Sequence, residues 1–133
     1  MTVSYVIDNF SRAVETYDKY ASIQAIAASE LSLTLSQVEA SIPQGRILEF
    51  GCGTGIFSRY LAACLPGRTV IFSDASSEMV EVCRLNIRDL NSDKFQQRIF
   101  SCLDATRIQT EERFSMIAAS FVLQWLPDLK GAI

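Results

Sequence analysis

The stretch ILEFGCGTGIF, residues 47–57, decides the fold because an apolar run is followed directly by three glycines in five positions. The apolar run predicts a buried strand over residues 46–50, and the residues after the glycines place apolar side chains at helical spacing. Glycine lets a turn adopt positive φ and lets a ligand lie against the backbone. The stretch therefore predicts a strand, a ligand-binding loop and a helix, in that order.

Alternating helices and strands extend outward from this unit. Apolar spacing predicts a helix over residues 5–40, a second from the glycines to Pro66, and a third whose N-cap is Ser76 and whose buried face includes Met79 and Cys83. Further strands are predicted at residues 69–73, 98–103 and 114–120. The alternation indicates an α/β protein with a Rossmann-like, three-layer α-β-α fold and a mostly parallel sheet.

In a parallel sheet of this kind, ligands bind beyond the carboxyl ends of the strands. The glycine spacing is G-x-G-x-G, and Ile56 stands where the dinucleotide pattern G-x-G-x-x-G requires its third glycine. A nicotinamide or flavin dinucleotide is therefore disfavoured. A phosphate loop of the Walker type is disfavoured more strongly, because no Lys-Ser or Lys-Thr pair follows the glycines.

Three acidic residues near the strand ends indicate a different ligand. Glu49 would repel a pyrophosphate and suits a cationic group such as an α-ammonium. Asp74 ends the second strand, where a carboxylate can accept hydrogen bonds from both hydroxyls of a ribose. Asp104 follows the third strand and could accept from an exocyclic adenine amine. An ammonium, a ribose diol and an adenine amine in one cleft describe S-adenosylmethionine.

Composition limits the other possibilities. The net charge is −3 and no Lys/Arg run occurs, so we expect a small-molecule or protein partner and neither nucleic acid nor a membrane surface. The chain has no basic-then-apolar leader, and a cytoplasmic protein is expected. The four cysteines are scattered and histidine is absent, so we expect mostly buried thiols, no metal site and chemistry without an imidazole base.

The motifs at residues 49–55, 74–79 and 103–105 together resemble those of the class I S-adenosylmethionine-dependent methyltransferases. The resemblance implies the strand order 3-2-1-4 and strands five to seven beyond Ile133, with residues 1–43 as a helical cap and 44–133 as the first part of the cofactor domain. It also implies cofactor contacts. These fall on Glu49, Gly51, Cys52, Gly53, Gly55, Asp74, Ala75, Met79, Asp104, Ala105 and Ser120.

Residues 10–18, with Gln24 and residues 120–125, further resemble the malonyl-[acyl-carrier protein] O-methyltransferases of biotin synthesis. That resemblance implies transfer of a methyl group to the free carboxylate of a malonyl thioester carried by acyl carrier protein or coenzyme A. Tyr17 would orient or shield the reacting groups, Arg12 would pair with the carboxylate, and Gln124 and Trp125 would contact the substrate. A carboxylate is already ionised at neutral pH, so no general base is required.

Other interpretations of these residues remain open. Tyr17 could be a core residue, and Arg12 a solvated helix residue. The chain could act on another small-molecule acceptor, or it could bind the cofactor without activity of its own. The fourth strand, without a fifth beside it, would leave an apolar edge exposed, from which we expect a dimer or aggregate.

Overall fold

The computed structural model describes residues 3–88, 90, 95–104 and 113–120, with side chains described from residue 21 onward. Every predicted strand is present, and each end lies within two residues of its predicted position. The elements are α1 Val3–Val38, a 3-10 turn Glu39–Ser41, β1 Ile47–Phe50, α2 Ile56–Cys64, β2 Thr69–Asp74, α3 Ser77–Ile87, β3 Gln97–Cys102 and β4 Met116–Ala119.

The four strands form one sheet in the order β3-β2-β1-β4, and all three pairings are parallel. The predicted fold class and strand order are therefore confirmed. In the register, Phe50 lies opposite Ala119, and Asp74 lies opposite Cys102. The carboxyl ends of all four strands consequently meet at one edge of the sheet.

Side chains from α1, α2 and α3 form one core cluster with alternate residues of the sheet, including Ile47, Val70 and Phe72. A second cluster contains Leu48 and Ile71, whose side chains point to the opposite face. The central strands β1 and β2 are thus apolar on both faces, as expected for a parallel sheet. Residues 121–133 lie outside the described residues.

Arg68 ties the segment that follows α1 to the start of β2. Its side chain is 7% exposed, and its guanidinium donates hydrogen bonds to the carbonyl oxygens of Ile42 and Pro43, each at 2.8 Å. The same side chain forms an ion pair with Glu39 at 3.2 Å. Helix α1 also packs on α2. The Arg68 contacts add a second attachment, between the segment after α1 and the strand β2.

Helix α3 begins as predicted, because the Ser76 hydroxyl accepts a hydrogen bond from the Met79 amide at 3.3 Å. The prediction that Met79 belongs to the buried face is wrong: its side chain is 41% exposed, whereas Cys83 is fully buried.

The expectation of mostly buried thiols holds for Cys52 and Cys83 but is wrong for Cys102, which is exposed. In the part of the chain that the structure describes, no helix is long and apolar enough to cross a membrane.

Gly55 is the N-cap of α2 and packs directly against α3. Its φ is +98°, and a Cβ added there would lie 3.3 Å from the Cys83 sulfur and 3.4 Å from a methyl carbon of Ile87. Both of those side chains are fully buried and cannot easily move aside. The missing side chain at Gly55 therefore sets how closely the two helices approach.

We predict that Gly55→Ala lowers the free energy of unfolding more than Gly67→Ala, measured by urea denaturation. Gly67 has a φ of +73° and open space around it, so alanine there introduces backbone strain alone, of about 1–2 kcal/mol. Gly55→Ala adds overpacking, of about 1–3 kcal/mol, to a similar strain. Equal losses in the two variants would contradict this account of the helix contact.

Candidate cofactor-binding site

The loop between β1 and α2 is a tight backbone turn held to the neighbouring strand. Gly51, Gly53 and Gly55 all have positive φ, at 62°, 54° and 98°. The Cys52 amide donates to the Ser73 carbonyl oxygen at 2.8 Å, which holds the loop against the end of β2. The loop therefore begins at the shared edge of the sheet, where the strand ends meet.

Asp74 connects this loop to the start of α3. One oxygen of its carboxylate accepts from the Gly53 amide at 2.9 Å, and the other accepts from the Ser76 amide at 2.9 Å. A carboxylate has about four lone-pair sites, so each oxygen keeps the capacity to accept another hydrogen bond. Asp74 can thus hold the loop and still accept from a ligand diol.

Glu49 lies beneath the glycine loop with only 1% of its surface exposed. Its Oε1 accepts a hydrogen bond from the Ser58 hydroxyl at 2.5 Å. Burial raises the pKa of this carboxyl to about 8, and the Ser58 hydrogen bond offsets part of that rise. Burial thus favours the protonated form of Glu49, whereas the sequence alone predicted a carboxylate at this position.

A pocket opens beside the loop at the carboxyl ends of β1 and β4. It gathers five of the residues for which cofactor contact was predicted: Glu49, Gly51, Cys52, Gly53 and Ser120. Four residues without such a prediction complete its lining: Gln24, Thr54, Ile56 and Phe57. Residues far apart in the chain therefore converge on one cleft.

Ala75 and Asp104, for which cofactor contact was also predicted, follow the ends of β2 and β3 at the same edge of the sheet, and Met79 lies in the first turn of α3. Ala75 and Met79 are exposed, and the Ala75 carbonyl oxygen accepts from the Cys102 thiol at 3.3 Å. The Leu103 amide donates to the Asp74 carbonyl oxygen at 2.9 Å, which brings the exposed Asp104 near the end of β2. This surface continues from the pocket past Asp74.

Several predicted site residues cannot be placed in this geometry. Ala105, Gln124 and Trp125 lie outside the described residues, and Arg12 and Tyr17 belong to α1 at positions where the structure describes the backbone alone. Among the described residues, no three metal-ligating side chains come together.

Ser58 is a residue of the site that sequence reasoning missed. It is completely buried, donates to Glu49 and accepts from the Cys83 thiol at 3.5 Å. The spacing of Ser58 from the apolar residues of α2 could have predicted its burial. Ser58 lies three, four and seven residues before Leu61, Ala62 and Leu65, so it occupies the buried stripe of α2, where a serine needs a polar partner.

Comparison with known proteins agrees with the fold. A family model described as "Methyltransferase domain" matches residues 48–133. The malonyl-[acyl-carrier protein] O-methyltransferases of Magnetococcus marinus and Bacillus anthracis are 36% and 33% identical to this chain over 94% and 93% of its length. The match covers 44% of each relative, so the chain spans less than half the length of these curated relatives.

A solved structure with the same fold is the magnesium protoporphyrin IX methyltransferase of Synechocystis with bound SAM. Its TM-score is 0.60 at 19% identity, over 77% of this chain and 47% of the other. The structural similarity supports the fold alone. The family model matches the sequence from β1 onward, which includes the glycine loop. The chain belongs to the methyltransferase domain family.

Proposed function

We propose that this chain binds S-adenosylmethionine beside the glycine loop and that the natural protein methylates the free carboxylate of a malonyl thioester in biotin synthesis. The observation that carries the proposal is the similarity of almost the entire chain to relatives named malonyl-[acyl-carrier protein] O-methyltransferase. The cofactor part also draws on a solved structure of the same fold that was determined with SAM bound.

The described residues fit the methionine end of this cofactor. Gly53 has open space where a Cβ would stand, so a ligand can approach the backbone there. Glu49 offers a carboxyl group to the ammonium, and Ser120 a hydroxyl at the facing strand end. Gly51, Cys52 and Gly55 complete the proposed contacts by shaping the loop.

The adenosine end would lie along the edge of the sheet toward β3. Asp74 would accept from the ribose hydroxyls with the lone pairs that the loop amides leave available. Exposed apolar surface on Ala75 and Met79 would cover the adenine face. Asp104 and Ala105 would contact its edge.

When bound, S-adenosylmethionine supplies an electrophilic methyl group on a sulfonium sulfur. The acceptor carboxylate needs no base, so the protein contributes alignment and the exclusion of water. We assign alignment to Tyr17, the catalytic residue of the proposal, and carboxylate binding to Arg12, with Gln124 and Trp125 on the substrate side. The part of α1 that the structure describes with side chains reaches the pocket through Gln24, in agreement with a helical cap formed by residues 1–43.

The substrate classes of this proposal, acyl carrier protein and coenzyme A thioesters, support a cytoplasmic location for the protein. Acids and bases are mixed along the chain, and the net charge is −3. This charge distribution favours a small or carrier-bound substrate over nucleic acid.

We predict that the chain binds S-adenosylmethionine and not NAD in isothermal titration calorimetry, and that Asp74→Asn weakens binding by about 10–100-fold. The substitution removes a charged acceptor of ribose hydroxyl groups, which contributes about 1.5–3 kcal/mol. The matched control is Glu81→Gln, an acid on α3 that is exposed and pairs with Arg84. Thermal unfolding of each variant checks the fold, and preferential binding of NAD would overturn the cofactor assignment.

We predict that the natural protein methylates malonyl thioester but not acetyl thioester, measured by product mass spectrometry. Arg12→Ala should raise the KM for the malonyl substrate by about tenfold or more, because a charge-assisted hydrogen bond is lost. Tyr17→Phe should lower kcat with little effect on cofactor binding. Arg84→Ala is the control for Arg12, since Arg84 is an exposed arginine whose partner is Glu81.

The same assay distinguishes the two alternatives. Cofactor binding with methylation of a different small-molecule acceptor would support a methyltransferase of other specificity. Cofactor binding by the 133-residue chain without transfer in any acceptor series would support a binding module.

We further propose that the 133-residue chain dimerises through β4. In the sheet of described strands, β4 is at one end and pairs with β1 alone. Ile117 is 59% exposed, and an apolar groove beside it is lined by β4, α1 and α2. An exposed apolar strand edge favours pairing with another chain.

Multi-angle light scattering is expected to give about twice the 14.8 kDa chain mass. Ile117→Lys should return the chain to a monomer, because an edge lysine opposes strand pairing. Val82→Lys, on the exposed surface of α3, is the control and should leave the dimer intact. A monodisperse monomer of the unaltered chain would contradict the proposal.

A further inference from the structure

Glu49 is buried in a pocket that lacks a compensating cation among the described side chains around it. The groups facing it come from every packed element: Ser58 on α2, Cys83 on α3, Asp74 on β2, and Cys52 in the loop. The pocket adds Gln24 of α1 and Ser120 after β4, neither of which titrates. The titratable members of this set are acids, so none of them favours an ionised Glu49.

A carboxyl group in these surroundings is more stable with its proton than without it. Removal from water disfavours the charged form, and neighbouring acids add to that effect. A cation within about 4–6 Å reverses the balance, because it favours the carboxylate. The entry of a cationic ligand therefore changes the protonation state of this residue.

We propose that Glu49 carries a proton in the ligand-free pocket and loses it to solvent when S-adenosylmethionine binds, so that cofactor binding releases a proton. This inference rests on the proposed function, because the cation that enters is the ammonium of that cofactor. The carboxylate formed then has the bound cation as its partner. A ligand of the same shape without the cation would leave the proton in place.

Ser58 is the positioning residue for the release of the Glu49 proton. Its hydroxyl donates to Oε1 of Glu49, which stabilises the carboxylate more than the neutral acid. The Cys83 thiol donates to the Ser58 oxygen at 3.5 Å, which leaves the hydroxyl hydrogen directed to Glu49. Ser58 thus sets the pH at which the proton is lost.

The test is calorimetric titration with S-adenosylmethionine in buffers of different ionisation enthalpy, repeated between about pH 6 and about pH 9. The ligand's own amine titrates near this range, so the result is the difference in proton release between the unaltered chain and Glu49→Gln. We expect a difference close to one proton near neutral pH and close to zero at the alkaline end. Glu81→Gln, an exposed acid, should release as the unaltered chain does.

Ser58→Ala should move the midpoint of the pH dependence upward, which a merely structural role would not do. An infrared difference spectrum of the unaltered chain tests the proposal without any variant. Adding S-adenosylmethionine should remove the C=O band of a protonated carboxyl group, because Glu49 loses its proton. Binding with no difference between the unaltered chain and Glu49→Gln, or with no loss of this band, overturns the inference alone. Failure of the unaltered chain to bind overturns the proposed function instead.

Discussion

The geometry of the site depends on Asp74, whose carboxylate accepts the amides of Gly53 and Ser76 at 2.9 Å each. One amide belongs to the loop after β1, and the other to the loop after β2. These loops are neighbours because the two strands are parallel and end at the same edge of the sheet. A single side chain at the end of β2 therefore fixes the turn that exposes the loop backbone.

The second constraint is the buried polar chain from Cys83 through Ser58 to Glu49. It joins α3, α2 and β1 inside a core that is mostly apolar. Because of Glu49, the free energy of unfolding falls as pH rises from 4.5, the ordinary pKa of a glutamate, toward about 8. In this pH range the glutamate ionises in the unfolded chain but not in the folded chain. A buried acid with this cost, lining a pocket, is typical of residues kept for binding.

Much of the fold could be predicted because its signals are local. The strands alternate with apolar helices at clear spacing, the Ser76 cap has its hydrogen bond, and the three glycines all adopt positive φ. Met79 shows the limit of such reasoning. Its helical spacing placed it on the buried face, but α3 begins beyond the edge of the sheet, so its first turn has less core to pack against.

The sequence by itself determined the element order, the glycine loop and the positions of Asp74, Asp104 and Ser120 at strand ends. It could do so because the spacing of apolar residues, which predicts helices and strands, is a pattern of residues close together in the chain. Only the tertiary structure decided what those residues contact. Gln24 reaches the pocket, Arg68 anchors the segment after α1, and Ser58 pairs with Glu49 through contacts between residues that are not neighbours in the chain. The protonation of Glu49 belongs to this second group, since burial sets its pKa and burial is a property of the packed molecule.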